Sequence, residues 1–169
     1  EKDSGDFKYL TYDTLPKFTD KHKSLMSKLL TPALFAQLKD KKTSKGYTLS
    51  NAIQTGVETP HLGVGMTCGD EESFEVFKDL IYPVIKGWHK GYDAATMTHP
   101  TDLNAENLTF SAEQEKLFDE YVVSTRIRAA RNISGFGLPA GTNAADRAGV
   151  EDVLKKTFAG FTGDLKGTY

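Results

Sequence analysis

Cysteine is almost missing from this 169-residue chain, with Cys68 standing alone. A single thiol cannot close an internal disulfide, and the usage fits a reducing compartment, so a cytoplasmic protein is expected. Long hydrophobic runs are missing as well. No stretch approaches the ~20 apolar residues that span a bilayer, and the opening EKDSGDFKYL lacks the charged-then-apolar pattern of a signal peptide. Excess positive charge is also lacking: 21 Lys and Arg stand against 23 Asp and Glu, a net charge of −2. That balance argues against a nucleic-acid partner, which would call for a basic surface, and no membrane partner is expected either. Any anionic ligand must be met by local arginines. None of the four histidines pairs with Cys, Asp or Glu at metal-ligand spacing, so no protein-held metal is expected. Internal repeats and low-complexity tracts are absent too.

What remains has the makeup of a soluble globular protein, 38% apolar and 26% charged. The length allows one ordinary domain, or one small domain plus part of another. Residues 1–95 read as short helices. Thr31 before Pro32 is an N-cap followed by proline at the first helical position, and Leu34, Phe35 and Leu38 recur at helical spacing. After the charged loop KDKKTSKG, a second short helix begins at Thr48, with Leu49, Ile53 and Val57 on one side. From Glu71 onward, Phe74, Phe77, Leu80, Ile81, Val84 and Ile85 form an amphipathic stripe, which Pro83 is expected to kink or divide. The Thr-, Asn- and Asp-rich tract at 96–115 has no sustained period and reads as a linker. Residues 116–169 start with the end of a short helix around Ala112 to Tyr121 and continue into strand-like patterning. After a glycine-rich loop, Asn143 can cap a last helix with Val150, Val153, Leu154 and Phe158 on one stripe, ending near Gly160.

The most informative segment is Ser124-Thr125-Arg126-Ile127-Arg128. As a strand it puts Ser124, Arg126 and Arg128 on one face, with Val123, Thr125, Ile127 and Ala129 on the other. Two guanidinium groups about 6–7 Å apart along the backbone match the spacing of neighbouring phosphates in a nucleotide tail. Arginine suits that use because its planar fork binds phosphate oxygens bidentately and keeps its charge. Spacing alone leaves open an edge-strand pair that is solvated or bridged to carboxylates.

Two blocks carry a family resemblance. YVVSTRIRAARNISGFGLP at 121–139 resembles the start of the catalytic domain of the phosphagen (guanidino) kinases, and GYTLSNAIQTGVETPHLGVGMTCGDEESFEVFKDLIYPVI at 46–85 resembles their substrate-specificity loop and the helix after it. The resemblance implies an α+β protein: a small all-α N-terminal domain (1–95), a linker (96–115), and the incomplete beginning of an antiparallel-sheet catalytic domain flanked by helices (116–169). It implies reversible transfer of the ATP γ-phosphoryl group to a guanidino compound, with Mg2+ arriving on ATP or ADP. Ser124, Arg126 and Arg128 would hold the nucleotide phosphates, and Gly63, Val64, Gly65, Met66 and Thr67 the guanidine. Glycines in such a loop let backbone amides and carbonyls approach a ligand without a Cβ in the way.

The loop is short, as in arginine kinases, which disfavours creatine. Where arginine kinases have a tyrosine at the loop end and an aspartate before it, this sequence has Thr67 and His61. Lombricine or taurocyamine is therefore the expected substrate, with arginine the alternative. Trp88 occupies a position that varies with substrate in the family, although an indole also serves simple packing. The resemblance places the catalytic glutamates, the reactive cysteine and further arginines outside this segment, so no catalytic residue lies within it and the 169 residues alone should not turn over. Subunit contacts through the helical half, and hence a homodimer, are compatible with catalysis. A reading of a different class is a helical binding module whose arginines meet an acidic partner.

Overall fold

The structure, a computed structural model, describes residues 8–126 and 128–168. One compact unit gathers the described residues up to Thr96 together with those from Asn132 onward; Met97–Arg131 is a second unit.

In the first unit five helices carry the core: α1 (Leu25–Leu29), α2 (Pro32–Leu38), α3 (Leu49–Glu58), α4 (Ser73–Val76) and α5 (Lys78–Trp88). Their starts are written locally. The Ser24 hydroxyl accepts from Ser27 N, the Thr31 hydroxyl accepts from Leu34 N ahead of Pro32, and Thr48 and Asn51 form a reciprocal capping box. These bonds satisfy amides that a helix leaves without partners at its N-terminus. α1 packs on both α3 and α5. Between them lie Met26, Leu38, Leu49, Ile53, Phe77 and Leu80, all fully buried.

Ahead of α1, an extended strap lies along α3. Buried Gln54 accepts from Leu10 N and donates to the Lys8 carbonyl, and the Ser50 hydroxyl accepts from Tyr12 N. The backbone of the strap is thus satisfied by side chains of a helix rather than by a neighbouring strand.

The expected amphipathic helix after Glu71 divides at Phe77 (φ −110°, ψ 21°), not at Pro83. Pro83 lies inside α5 at an exposed turn, where water can take the Asp79 carbonyl that loses its helical donor. The break turns Phe74 out of the core, 40% exposed, while Phe77 itself becomes wholly buried.

The later part of this unit holds α7 (Ala144–Ala159), entered through a capping box between Asn143 and Asp146 and closed at Gly160. Its expected apolar stripe is only partly covered, with Val153 38% and Leu154 39% exposed. The second unit holds a short 3-10 turn and α6 (Ala112–Tyr121), which starts on a Ser111–Gln114 capping box.

The expected β component is not seen among the described residues. Among the described residues there is no strand, only an isolated antiparallel bridge between Lys42 and Thr48. Residues 122–126 and 128–131 have no regular structure; Ile127, assigned above to the opposite strand face, lies outside the described residues. An extended segment becomes a strand only by exchanging backbone hydrogen bonds with a neighbour. No second extended segment pairs with it among the described residues. What is observed is all-helical.

Phe77 closes the core where α4 meets α5. Phe77→Ala should lower unfolding free energy by about 3–5 kcal/mol; denaturant titration followed by circular dichroism measures it, and a loss below 1 kcal/mol would show that Phe77 is not the keystone of this core.

Candidate functional site

The loop Gly63–Thr67 leaves α3 and passes the start of α1. Because Ser24 is extended as the α1 cap, the first amides of that helix project outward, and the loop uses them: Leu25 N donates to Gly63 O at 2.8 Å and Met26 N to Val64 O at 3.1 Å. All described peptide bonds are trans. In a trans unit the carbonyl and the following N–H point in opposite directions. Pinning the Gly63 and Val64 carbonyls onto α1 therefore aims the N–H groups of Val64 and Gly65 away from it. Neither N–H has an acceptor among the described residues.

Two glycines make this approach possible. Gly65 has φ +77°, and a Cβ there would lie 2.4 Å from the Ser24 side chain. A Cβ on Gly56 of α3 would lie 2.2 Å from the Gly65 carbonyl oxygen. The loop closes back on α3 through Thr67 N donating to Ala52 O at 2.9 Å, and the Thr67 hydroxyl pairs with Tyr47 Oη at 2.9 Å. Burial pushes the Tyr47 hydroxyl up to about 12, against a smaller opposing effect of its Thr67 bond, so at neutral pH it stays protonated.

Beyond the loop, buried Asp70 anchors the chain. Its carboxylate accepts from Ser73 N and Ser73 Oγ, both at 2.8 Å, and from the Thr43 hydroxyl at 2.5 Å. The segment from 132 packs against the same place, with Leu138 N donating to Gly69 O at 2.9 Å. Tyr9 of the strap donates its hydroxyl to Ala140 O and meets the Tyr47 ring edge-on at 6.3 Å between centroids. Cys68 is half-buried in this neighbourhood, and burial, aided by the Asp70 carboxylate, raises its thiol to about 11.

Of the residues singled out in the sequence, Gly63–Thr67 and Trp88 are brought together. Trp88 ends α5 with 54% of its surface exposed, and a Cβ on Gly63 would lie 2.8 Å from its ring. The indole is therefore a partly open wall against the loop rather than a core residue. Ser124, Arg126 and Arg128 belong to the second unit, where all three are exposed on the irregular segment. Residues that local patterning did not flag are Tyr47, which holds Thr67, Ser24, which backs Gly65, and Tyr9. Each acts across a sequence separation that no periodicity records. Among the described residues no group of three His, Cys, Asp or Glu converges to hold a metal ion, and no helix is long and apolar enough to cross a membrane.

Residues 20–86 match the family described as ATP:guanido phosphotransferase, N-terminal domain. The chain is 42% identical over 166 residues to the creatine kinase M-type of Gallus gallus, covering 95% of this chain and 42% of that relative. It thus spans about two-fifths of the length of that curated protein. Among solved structures it is similar to a lombricine kinase, with TM-score 0.76, 35% identity, and coverage of 88% of this chain and 40% of that one. It is also similar to the duplicated taurocyamine kinase of Schistosoma mansoni with bound transition state analog components, with TM-score 0.72, 27% identity, and coverage of 88% and 20%.

Two outcomes test this geometry. Gly65→Ala should cost about 1–2 kcal/mol from the left-handed backbone alone, with more from the Ser24 contact; thermal melting that leaves stability unchanged would contradict the close approach. Cys68 should react with iodoacetamide at pH 8 about a hundredfold more slowly than a thiol of ordinary acidity, because its thiolate fraction is lower by that factor. A rate equal to that of a free thiol would show the site to be open.

Proposed function

We propose that this chain is the N-terminal part of a phosphagen kinase, since residues 20–86 match the family described as ATP:guanido phosphotransferase, N-terminal domain. The complete enzyme reversibly transfers the γ-phosphoryl group of ATP to a guanidino nitrogen. The observation that carries this reading is the pinned loop: with two carbonyls held by α1, the Val64 and Gly65 N–H groups are left as donors, and the ring of Trp88 lies against Gly63 at the start of the same loop. Donors oriented before the ligand arrives need no reorganisation during reaction. In phosphoryl transfer, where the transferring group carries spread charge, catalysis is mainly alignment and cationic support.

Ser124, Arg126 and Arg128 take the nucleotide phosphates, the arginines through bidentate forks. Mg2+ would enter on ATP or ADP, held by phosphate oxygens; bound there it neutralises charge on the phosphates. No converging carboxylates among the described residues offer it a separate seat. Residues 116–169 begin the catalytic domain in this reading, and the arginine segment becomes a strand once an antiparallel sheet supplies neighbours. The near-total exposure of Val123, at 99%, supports that view, since a β-branched residue is suited to a pleated, covered surface.

The substrate favoured is lombricine or taurocyamine. Thr67, lacking a long phenolic reach, turns its hydroxyl onto Tyr47 instead, which weakens recognition of the amino-acid end of arginine. The likeness to a lombricine kinase supports the same choice. A coupled assay of the full-length protein against creatine, arginine, taurocyamine and lombricine should show the highest kcat/KM for one of the last two. A profile led by creatine or arginine would overturn the substrate assignment, and transfer to none of them the kinase reading.

A further inference from the structure

The loop Gly63–Thr67 is fixed at its start by backbone bonds to α1, whereas a side chain from outside the loop holds its end. We propose that this side chain, Tyr47, is a positioning residue for the guanidino substrate: its hydroxyl sets the orientation of the Thr67 hydroxyl, which meets the substrate. This rests on the kinase reading above and adds to it a residue that lies ahead of α3.

Tyr47 is held in place from several sides. Its carbonyl accepts from Thr43 N at 2.9 Å, and its own N–H donates to the Thr43 hydroxyl at 3.1 Å. That hydroxyl donates in turn to the Asp70 carboxylate at 2.5 Å, so the turn before α3 and the chain after the loop are joined through one buried threonine. The Tyr47 ring packs on Gly69, where a Cβ would come within 2.1 Å of it, and the Tyr9 ring meets it edge-on. Only 6% of Tyr47 is exposed, so its hydroxyl stands on a rigid support.

One side chain thus grips both neighbours of Cys68, Gly69 by its ring and Thr67 by its hydroxyl. The bond from Thr67 N to Ala52 O fixes the backbone at the loop end. It does not select among the staggered χ1 positions, which point the Thr67 hydroxyl in different directions. The 2.9 Å contact with Tyr47 Oη makes that selection. Each of the two hydroxyls has one proton and two lone pairs, and one proton is used between them. Among the described residues neither oxygen has a second partner, so the pair keeps a proton and lone pairs for a ligand. Both residues face the same cavity of about 240 Å³. A hydroxyl set in one direction before binding spares the substrate the cost of ordering it.

The test uses the full-length enzyme with ATP and whichever guanidine it turns over fastest, and measures kcat and both KM values. Y47F keeps the ring on Gly69 and removes only the bond to Thr67. Its KM for the guanidine should rise about three- to tenfold, the size of one neutral hydrogen bond, with kcat and the KM for ATP unchanged. T67S keeps the hydroxyl and should stay close to the wild type, while T67V should raise the same KM. Because Tyr47 acts through Thr67, the double variant Y47F/T67V should be no worse than T67V alone. An unchanged guanidine KM in Y47F, a loss shared equally with the KM for ATP, or a double variant whose loss is the product of the single losses would each overturn the role of Tyr47 and leave the kinase reading intact. A wild-type enzyme that transfers phosphoryl to no guanidine overturns that reading, and this inference with it.

Discussion

Everything proposed for this chain depends on two hydrogen bonds, from Leu25 N to Gly63 O and from Met26 N to Val64 O. A helix N-terminus has amides to give, and here they are given to a loop rather than to solvent or a side-chain cap alone. The pairing settles which way the peptide planes of the loop face. It also explains why small residues gather there. Gly56 and Gly65 touch where a Cβ on either would collide, and Ser24 presses on Gly65 from the other side.

The helical core serves that loop. α1 sits between α3 and α5, and α3 supplies both Ala52, whose carbonyl holds Thr67 N, and Gly56, which admits the loop. α5 ends in Trp88, whose ring rests on Gly63. Buried Asp70 then fixes the chain after the loop by accepting three hydrogen bonds, so that the loop is held at both ends. A charged group so deep is tolerated because its oxygens are satisfied by donors.

Much of the first unit was legible in order along the chain. Caps at Thr31, Thr48 and Asn143 announce their helices because a cap is a contact between residues three apart. The loop block could be read for the same reason, as a contiguous string. Less legible was the division at Phe77: proline marks a break in sequence, yet Pro83 was accommodated at an exposed turn while burial of an aromatic ring decided where the helix parted. The arginine segment shows the opposite limit. Alternation of side chains describes a strand only if a neighbouring backbone is present, and residues 122–126 and 128–131 have none among the described residues.

From sequence alone came the helical starts, the order of the blocks, the resemblance to guanidino kinases and the position of the glycine loop, all of which are encoded by residues close together in the chain. Only the tertiary structure decided that Tyr47 holds Thr67, that Trp88 lies open against Gly63, and that Arg147 and Tyr9 reach one cavity. Those are meetings between residues from 20 to more than 130 positions apart. Such meetings follow from helix packing and from where glycines permit close approach, which are properties of the assembled core and not of any local run of residues.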